Sequence, residues 1–164
     1  MASRFKKKIS RNSLMTIDSA LLDSLIAQAA ASPRLRMNFD LRTSPEDSSQ
    51  RMLNALLPGT VLPIHRHRRT AETVVVLRGC LEEIFYEPGA EAVVDGDSRC
   101  VDARRRRVVR ETERFRLEAA GPLQGLSIPV GQWHTVNVLE PTIILECKDG
   151  PYEPLGEEDV LEVE

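Results

Sequence analysis

The first regular pattern along the chain is an apolar stripe at helical spacing in residues 17–31, IDSALLDSLIAQAAA. The apolar positions of this stripe are Ile17, Leu21, Leu22, Leu25, Ile26 and Ala29. Thr16 or Asp18 is expected to cap the start of the helix, and Ser32 and Pro33 are expected to end it. The pattern predicts one amphipathic helix of about four turns.

After this helix the hydrophobic period changes from helical spacing to two. In LRMNFDL, residues 35–41, apolar and polar side chains alternate, which is typical of a half-buried strand. Further strand-like runs, separated by Gly and Pro turns, are QRMLNALL, TVLPIHRH, ETVVVLRG, CLEEIFYE, ARRRRVVRE, RFRLEA, GLSIPV, HTVNVLE and TIILECK. Many short strands without a second helix predict an all-β barrel or double-sheet sandwich.

Length and charge refine this picture. A chain of 164 residues with 41% hydrophobic content is expected to form one domain with a real core. Its net charge of −3 gives no indication of a nucleic-acid or membrane partner. We predict a basic segment and helix in residues 1–33, a barrel in residues 34–152, and an acidic tail in residues 153–164. The basic residues of the first segment are Arg4, Lys6, Lys7, Lys8 and Arg11.

The cysteines and the N-terminus predict a cytoplasmic protein. Cys80, Cys100 and Cys147 are odd in number and scattered, without a C-x-x-C pair, so we expect reduced thiols. The basic N-terminus is not followed by an apolar segment of the kind found in signal peptides, and no stretch is long and apolar enough for a membrane span.

The three histidines of the chain predict a metal site. His65 and His67 are two residues apart, so on a strand both side chains point to the same face. Glu72 follows at a distance that allows a return on the neighbouring strand, and a later strand brings His134 alongside. Three neutral imidazoles and one carboxylate leave coordination positions open for a ligand, which is typical of a working site. Such a donor set suits Fe(II), Ni(II), Zn(II) or Mn(II), and the spacing does not choose among them.

These residues also form a known pattern. Gly59-x5-His65-x-His67-x4-Glu72-x6-Gly79 resembles the first cupin motif, and Pro129-x-Gly131-x2-His134 resembles the core of the second. The glycine that opens the second motif lies farther upstream in most cupins than Gly125 does here. Residues 35–152 resemble the WbuC family of small cupin-fold metalloproteins, through SQRMLNALLPGT, HRHRRTAETVVVLRG, IPVGQWHTVNVLE and ECKDGPY.

The resemblance implies both the fold and the site. The expected fold is a cupin double-stranded β-helix, or jelly-roll barrel, with one N-terminal α-helix. The expected ligands of one divalent metal ion are His65, His67, Glu72 and His134. Cupins commonly pair through edge strands, so a homodimer formed through LRMNFDL is also expected.

Several other residues carry weaker signals. The run Arg104–Arg107, with Arg110 beyond it, predicts a charged strand or hairpin edge, because its side chains alternate between faces and no aromatic residue interleaves with them. Trp133 is expected to point away from His134 and to pack between the sheets or against the helix. The candidates for binding a substrate are polar residues within strand-like runs or beside His134, namely Asn54, Tyr86, Gln132, Glu146 and Lys148.

Two hypotheses of function follow. In the first, the protein is a metal-dependent enzyme that acts on a small polar metabolite, such as a sugar derivative, and the resemblance implies a role in polysaccharide (O-antigen) biosynthesis. Isomerisation or epimerisation needs a base, for which Lys148, Tyr86 and Glu146 are candidates, while an iron ion favours oxygenation. In the second, the protein is a non-catalytic module that binds or senses a small ligand through its metal.

Overall fold

The described part of the chain, residues 14–92 and 106–161 of a computed structural model, consists of ten strands, one α-helix and one short 3-10 helix. In chain order these are α1 (Ser19–Ala30), β1 (Arg36–Asp40), β2 (Ser49–Leu56), β3 (Ile64–His65), β4 (Glu72–Arg78), β5 (Cys80–Ala92), β6 (Arg106–Glu118), β7 (Gly125–Ile128), β8 (Trp133–Val138), β9 (Thr142–Asp149), the 3-10 helix (Glu157–Asp159) and β10 (Val160–Leu161). The predicted basic cluster in residues 1–11, Cys100, Arg104, Arg105 and residues 162–164 lie outside the described residues.

The predicted helix is confirmed as α1. Asp18 caps it by accepting a hydrogen bond from the backbone N–H of Leu21 at 3.0 Å, which satisfies one of the free donors of the first turn. Its buried residues, Leu22, Leu25 and Ala29, pack against the outer face of β2 and β9. No helix among the described residues has the length and apolar character of a membrane span.

Two five-stranded sheets, antiparallel at each pairing, face each other and enclose the main core. Sheet A has the order β1-β2-β9-β4-β7, and sheet B has the order β10-β3-β8-β5-β6. Buried side chains from both sheets meet between them: Leu56, Val74, Val76, Leu81, Phe85, Leu117, Ile128, Val138 and Ile144. Alternation along the strands sends these residues inward, as the predicted jelly-roll barrel requires.

Two strand predictions needed correction in their extent. Only Ile64 and His65 of TVLPIHRH form a strand, because Pro63 has no N–H for a sheet hydrogen bond. The runs ARRRRVVRE and RFRLEA, predicted as separate strands, are joined in β6, which pairs along the full length of β5. Strand β6 lies at the edge of sheet B, so the predicted edge position of the arginine run is confirmed for Arg106 and Arg107.

Two residues of the predicted acidic tail, Val160 and Leu161, form part of sheet B. Val160 pairs with His65 and Leu161 pairs with Ile64, so that β10 extends the sheet beyond β3. Leu161 is buried with Ile64 and Trp133. The expectation that Trp133 packs between the sheets or against the helix is therefore wrong. Its indole lies in this smaller cluster, with the Arg66 guanidinium 4.5 Å from the ring centroid.

A tight glycine turn between β4 and β5 gives a stability prediction. Gly79 has φ +80, and a Cβ there would lie 2.3 Å from the backbone oxygen of Pro141. Gly131 has nearly the same φ, +81, but a Cβ there meets nothing within 4 Å. We expect Gly131→Ala to lower the free energy of unfolding by about 1–2 kcal/mol, the cost of the left-handed backbone alone. Gly79→Ala adds the steric clash and is expected to cost roughly 3 kcal/mol.

Urea unfolding of the metal-free protein measures both values. Gly131→Ala is the matched control, because it shares the backbone conformation of Gly79 without the clash. Equal losses in the two variants would contradict the steric role assigned to Gly79.

Candidate metal centre

The four predicted ligands come from both sheets and meet at one end of the barrel. His65 on β3 and His134 on β8 are direct partners in sheet B, while Glu72 opens β4 in sheet A. His67 follows β3, and its backbone oxygen accepts a hydrogen bond from Gly131 N at 2.8 Å. One ligand atom from each of the four residues lies within 4.8 Å of the others. The structure thus brings all four candidates together.

Backbone carbonyls orient two of the imidazole rings. His65 Nδ1 lies 3.1 Å from the oxygen of Pro63, and His134 Nδ1 lies 3.0 Å from the oxygen of Gln132. A carbonyl oxygen only accepts, so each Nδ1 carries the proton and each Nε2 keeps its lone pair. This is the arrangement by which protein groups outside the ligand set fix a metal-binding histidine.

Glu72 lies at the centre of the cluster. Its Oε2 is 3.1 Å from His67 Nε2, 3.7 Å from His134 Nε2 and 3.6 Å from Lys148 Nζ. Burial alone raises the pKa of Glu72, but the polar contacts with His134 and His67 and the charge of Lys148 hold it well below its ordinary value. The carboxylate is therefore ionised and available as a ligand.

The protonation of His65 also favours metal binding. Burial, and then the charge of His134, lowers the pKa of His65 to about 4. The ring is neutral at physiological pH, so a metal has no proton to displace from it. Three imidazoles and one ionised carboxylate form a donor set that fits a divalent transition metal.

The cluster opens to a cavity of about 750 Å³. His65 and His67 lie in its wall, while Glu72 and His134 are buried behind them. The rest of the wall comes from residues 66, 68–70 and 148–156, with Gln50, Glu158 and Asp159. A ligand in this cavity therefore reaches the exposed side of the cluster.

Of the five predicted substrate residues, three lie together near the cluster. Lys148 lines the cavity and pairs with Glu146, whose Oε2 accepts a hydrogen bond from Asn54 Nδ2 at 2.5 Å. Burial is the main factor that raises the pKa of Glu146. Burial lowers the pKa of Lys148, but the charges of Glu72 and Glu146 outweigh this effect, so the pKa of Lys148 is raised. Lys148 is the member of this group that contacts the cavity, and the other two lie behind it.

Tyr86 and Gln132 lie elsewhere. Tyr86 pairs with Trp133 in the sheet register and packs against the cluster around that residue, so it is on the face opposite His134. Gln132 Nε2 donates to the backbone oxygens of Tyr86 and Trp133 at 3.2 Å. The backbone of Gln132, rather than its side chain, reaches the site by holding the ring of His134.

Comparisons with known proteins identify the fold. Residues 17–95 match the model of a family described as a domain of unknown function, DUF6016. No curated protein matches the chain. Among solved structures, KdgF from Halomonas sp. is 16% identical with a TM-score of 0.50, and the match covers 74% of this chain and 84% of that one.

Two further solved structures are similar. A conserved protein of unknown function from Streptococcus pyogenes is 12% identical with a TM-score of 0.51, over 89% of this chain and 94% of that one. The capsular polysaccharide assembling protein CapF from Staphylococcus aureus is 20% identical with a TM-score of 0.50, over 80% of this chain. The chain spans 33% of CapF. The fold is that of the cupins.

Within the cupin barrel lies an acid that sequence reasoning missed. Glu83 is 1% exposed, and its Oε2 has no hydrogen-bond partner among the described residues. Burial, and then the negative charges of Glu72 and Glu146, raises the pKa of Glu83 well above its ordinary value. The sequence pattern that indicates its position is the alternation along β5, in which Leu81, Glu83 and Phe85 share the inward face.

Proposed function

We propose that the protein is a WbuC-like cupin that binds one divalent metal ion and acts on a small polar metabolite, such as a sugar derivative in polysaccharide (O-antigen) biosynthesis. The observation that carries the proposal is the His65, His67, Glu72 and His134 cluster on the wall of an open cavity. A structural metal site is usually closed by its protein ligands, whereas this one faces a space large enough for a small molecule.

The lining of the cavity supports a polar ligand. Lys148 and Gln50 present an ammonium and an amide from neighbouring strands. CapF, which shares the fold, is described as a capsular polysaccharide assembling protein. That description agrees with the class of pathway that the resemblance to the WbuC family implies.

The metal and the residues around the cluster have different roles in the proposed reaction. A metal bound there supplies Lewis-acid polarisation of a carbonyl or hydroxyl group. Glu72 stays a ligand, and its position is fixed by its place at the start of β4. Among the three candidate bases, Lys148 lines the cavity, Glu146 lies behind it, and Tyr86 packs on the other face of sheet B. Lys148 is therefore the side chain placed to move a proton in an isomerisation or epimerisation.

One observation favours the second candidate function, a non-catalytic ligand-binding module. Lys148 is held by two carboxylates, Glu146 and Glu72, and an ammonium so paired is a hydrogen-bond donor and not a base. A protein that only binds a ligand needs such a donor and no group that accepts a proton.

The proposal also includes a cytoplasmic homodimer that forms through β1. Among the described residues this strand lies at an edge of sheet A, and the outer side of an edge strand can pair with a second copy. A solution mass equal to that of one chain would contradict the dimer.

Two measurements test the proposed function. Elemental analysis of protein purified without a histidine tag is expected to find a stoichiometric amount of iron, nickel, zinc or manganese. The metal-loaded protein is then incubated with a panel of phosphosugars and nucleotide sugars, and turnover and binding are measured separately. Turnover of one compound supports the enzyme, while binding of one without turnover of any supports the module. A protein that holds no metal would overturn both.

A further inference from the structure

Lys148 lies on the wall of the cavity, beside the cluster of candidate metal ligands. We propose that Lys148 binds the carboxylate of the substrate, so that the protein takes small sugar acids or related hydroxy acids in preference to neutral sugars. The inference rests on the proposed function, since it concerns the metal-loaded site.

Three hydrogen-bond acceptors surround the side chain of Lys148. Its ammonium has three donors. It pairs with Glu146 Oε1, lies 3.6 Å from Glu72 Oε2 and lies 3.3 Å from His67 Nε2. Two of these three acceptors are therefore atoms of the candidate ligand cluster.

Metal binding removes an acceptor from Lys148. A neutral imidazole nitrogen has one lone pair, and the lone pair of His67 Nε2 is shared with a metal once one binds. The ammonium donor that faces this nitrogen then lacks a partner. A half-buried cationic donor without an acceptor is unfavourable, so the loaded site favours a ligand that places an oxygen at this point.

Charge determines which kind of oxygen fits best. A divalent metal together with Glu72, Glu146 and Lys148 leaves one net positive charge at the wall of the cavity. The arginines at the rim do not add to it, because three carboxylates balance them: Arg66 and Arg68 pair with Asp159, Arg68 also lies 3.5 Å from Glu158, and Arg69 lies 3.5 Å from Glu153. One excess positive charge is matched by a carboxylate more closely than by a phosphate dianion or a neutral hydroxyl.

The groups behind Lys148 hold its ammonium in place. Asn38 Nδ2 donates to Asn54 Oδ1 at 2.7 Å, and Asn54 in turn donates to the carboxylate of Glu146 that pairs with Lys148. Lys148 also shares a register row with Gln50 and Glu72 on three adjacent strands. Such a supported donor loses little conformational entropy on binding a ligand, which favours affinity and selectivity.

The test compares three ligands of one carbon skeleton by titration calorimetry on the metal-loaded full-length protein. These are glycerol, which is neutral, glycerate, which carries a carboxylate, and glycerol 3-phosphate, which carries a phosphate. Glycerate is expected to bind best. In Lys148→Gln, which removes the charge but keeps a polar side chain, the affinity for glycerate is expected to fall about 10-fold to 100-fold. Arg69→Gln is the matched control, because it removes one positive charge from the same cavity and is expected to keep the preference.

The metal content of each variant, measured by elemental analysis, separates the outcomes. A wild-type protein without metal overturns the proposed function itself. A wild-type protein that holds metal but binds glycerol as well as glycerate, or binds neither, overturns the inference alone, as does retention of full glycerate affinity in Lys148→Gln. If glycerol 3-phosphate binds more tightly than glycerate, the site prefers a phosphate to a carboxylate, and the inference is also overturned. If Lys148→Gln loses the metal, the wild-type ranking of the three ligands decides.

Discussion

Replacing His134 with alanine is expected to abolish stoichiometric metal binding. His134 is 3% exposed, its ring is held by the backbone oxygen of Gln132, and its Nε2 faces Glu72. The substitution removes one of the four candidate ligands. Loss of supporting groups outside the ligand set already weakens metal binding about 10-fold to 100-fold, so we expect loss of a ligand to cost at least about 100-fold.

Two measurements check this prediction. Elemental analysis after dialysis against metal-free buffer is expected to find metal in the wild type and little in His134→Ala. Thermal unfolding is expected to show stabilisation by added metal in the wild type alone, worth about 2.7 kcal/mol at a free metal concentration 100-fold above the dissociation constant.

The matched control is Thr135→Val on the same strand. The hydroxyl of Thr135 donates to the oxygen of Leu62 at 2.8 Å, and its side chain is on the face opposite His134. This variant is expected to keep its metal even where it loses stability. Equal metal content in His134→Ala and the wild type would rule out His134 as a ligand.

The sequence was sufficient to predict that the four residues meet, because alternation along strands and the distances between motifs restrict where the side chains point. It did not predict how each is held. His67 was expected on a strand beside His65, but β3 ends at His65, and a hydrogen bond from Gly131 to the His67 backbone holds the loop instead. That contact joins residues far apart in the chain, so no local pattern indicates it.

The C-terminal strand shows the same limit of local patterns. EEDVLE, residues 157–162, reads as an acidic tail, and its strand consists of Val160 and Leu161. These two residues are extended because they pair with β3 and because Leu161 is buried with Ile64 and Trp133. Tertiary context rather than intrinsic propensity decides the conformation there.

Polar residues at inward positions were the hardest to place from sequence. Asn54, Glu83 and Glu146 all alternate with residues on the outer face, but a polar residue in a strand most often faces water. Tyr86 was a candidate for the site although its parity is that of Trp133, which places it on the other face of sheet B. His134 pairs with Phe85, so side chains that alternate in step with Phe85, such as Glu83, point to the same face as His134, while Tyr86 points to the other face. This distinction requires the strand pairing, which the sequence alone does not give.

Glu83 carries the second large prediction, which concerns the dependence of stability on pH. Its folded-state pKa is raised, first by burial and then by the charges of Glu72 and Glu146. The unfolded chain therefore loses this proton near the ordinary value of 4.5 while the folded chain keeps it. Above that pH the contribution of Glu83 to the free energy of unfolding falls by up to about 1.4 kcal/mol for each pH unit, until the folded state also ionises.

Glu83→Gln removes the ionisable group and keeps nearly the same shape. The variant and the wild type are expected to have similar stability near pH 4.5, and the variant is expected to become more stable than the wild type as the pH rises above that value. Urea unfolding in the presence of a chelator measures this difference. The chelator keeps metal from changing the protonation of the cluster, and the titration of His65 cancels because it is common to both proteins.

Glu82→Gln is the adjacent control, with an effect of opposite sign. Glu82 is on the outer face of β5, where hydrogen bonds from Asn137 at 2.8 Å and Arg114 at 2.7 Å lower its pKa. A lowered pKa contributes stability above the unfolded-state value, so Glu82→Gln is expected to be less stable than the wild type at neutral pH and to approach it on acidification. The pKa values of the two neighbouring glutamates are thus shifted in opposite directions, because the side chains lie on opposite faces of one strand. A Glu83→Gln variant whose stability follows the wild-type pH dependence would show that Glu83 is already ionised in the folded barrel.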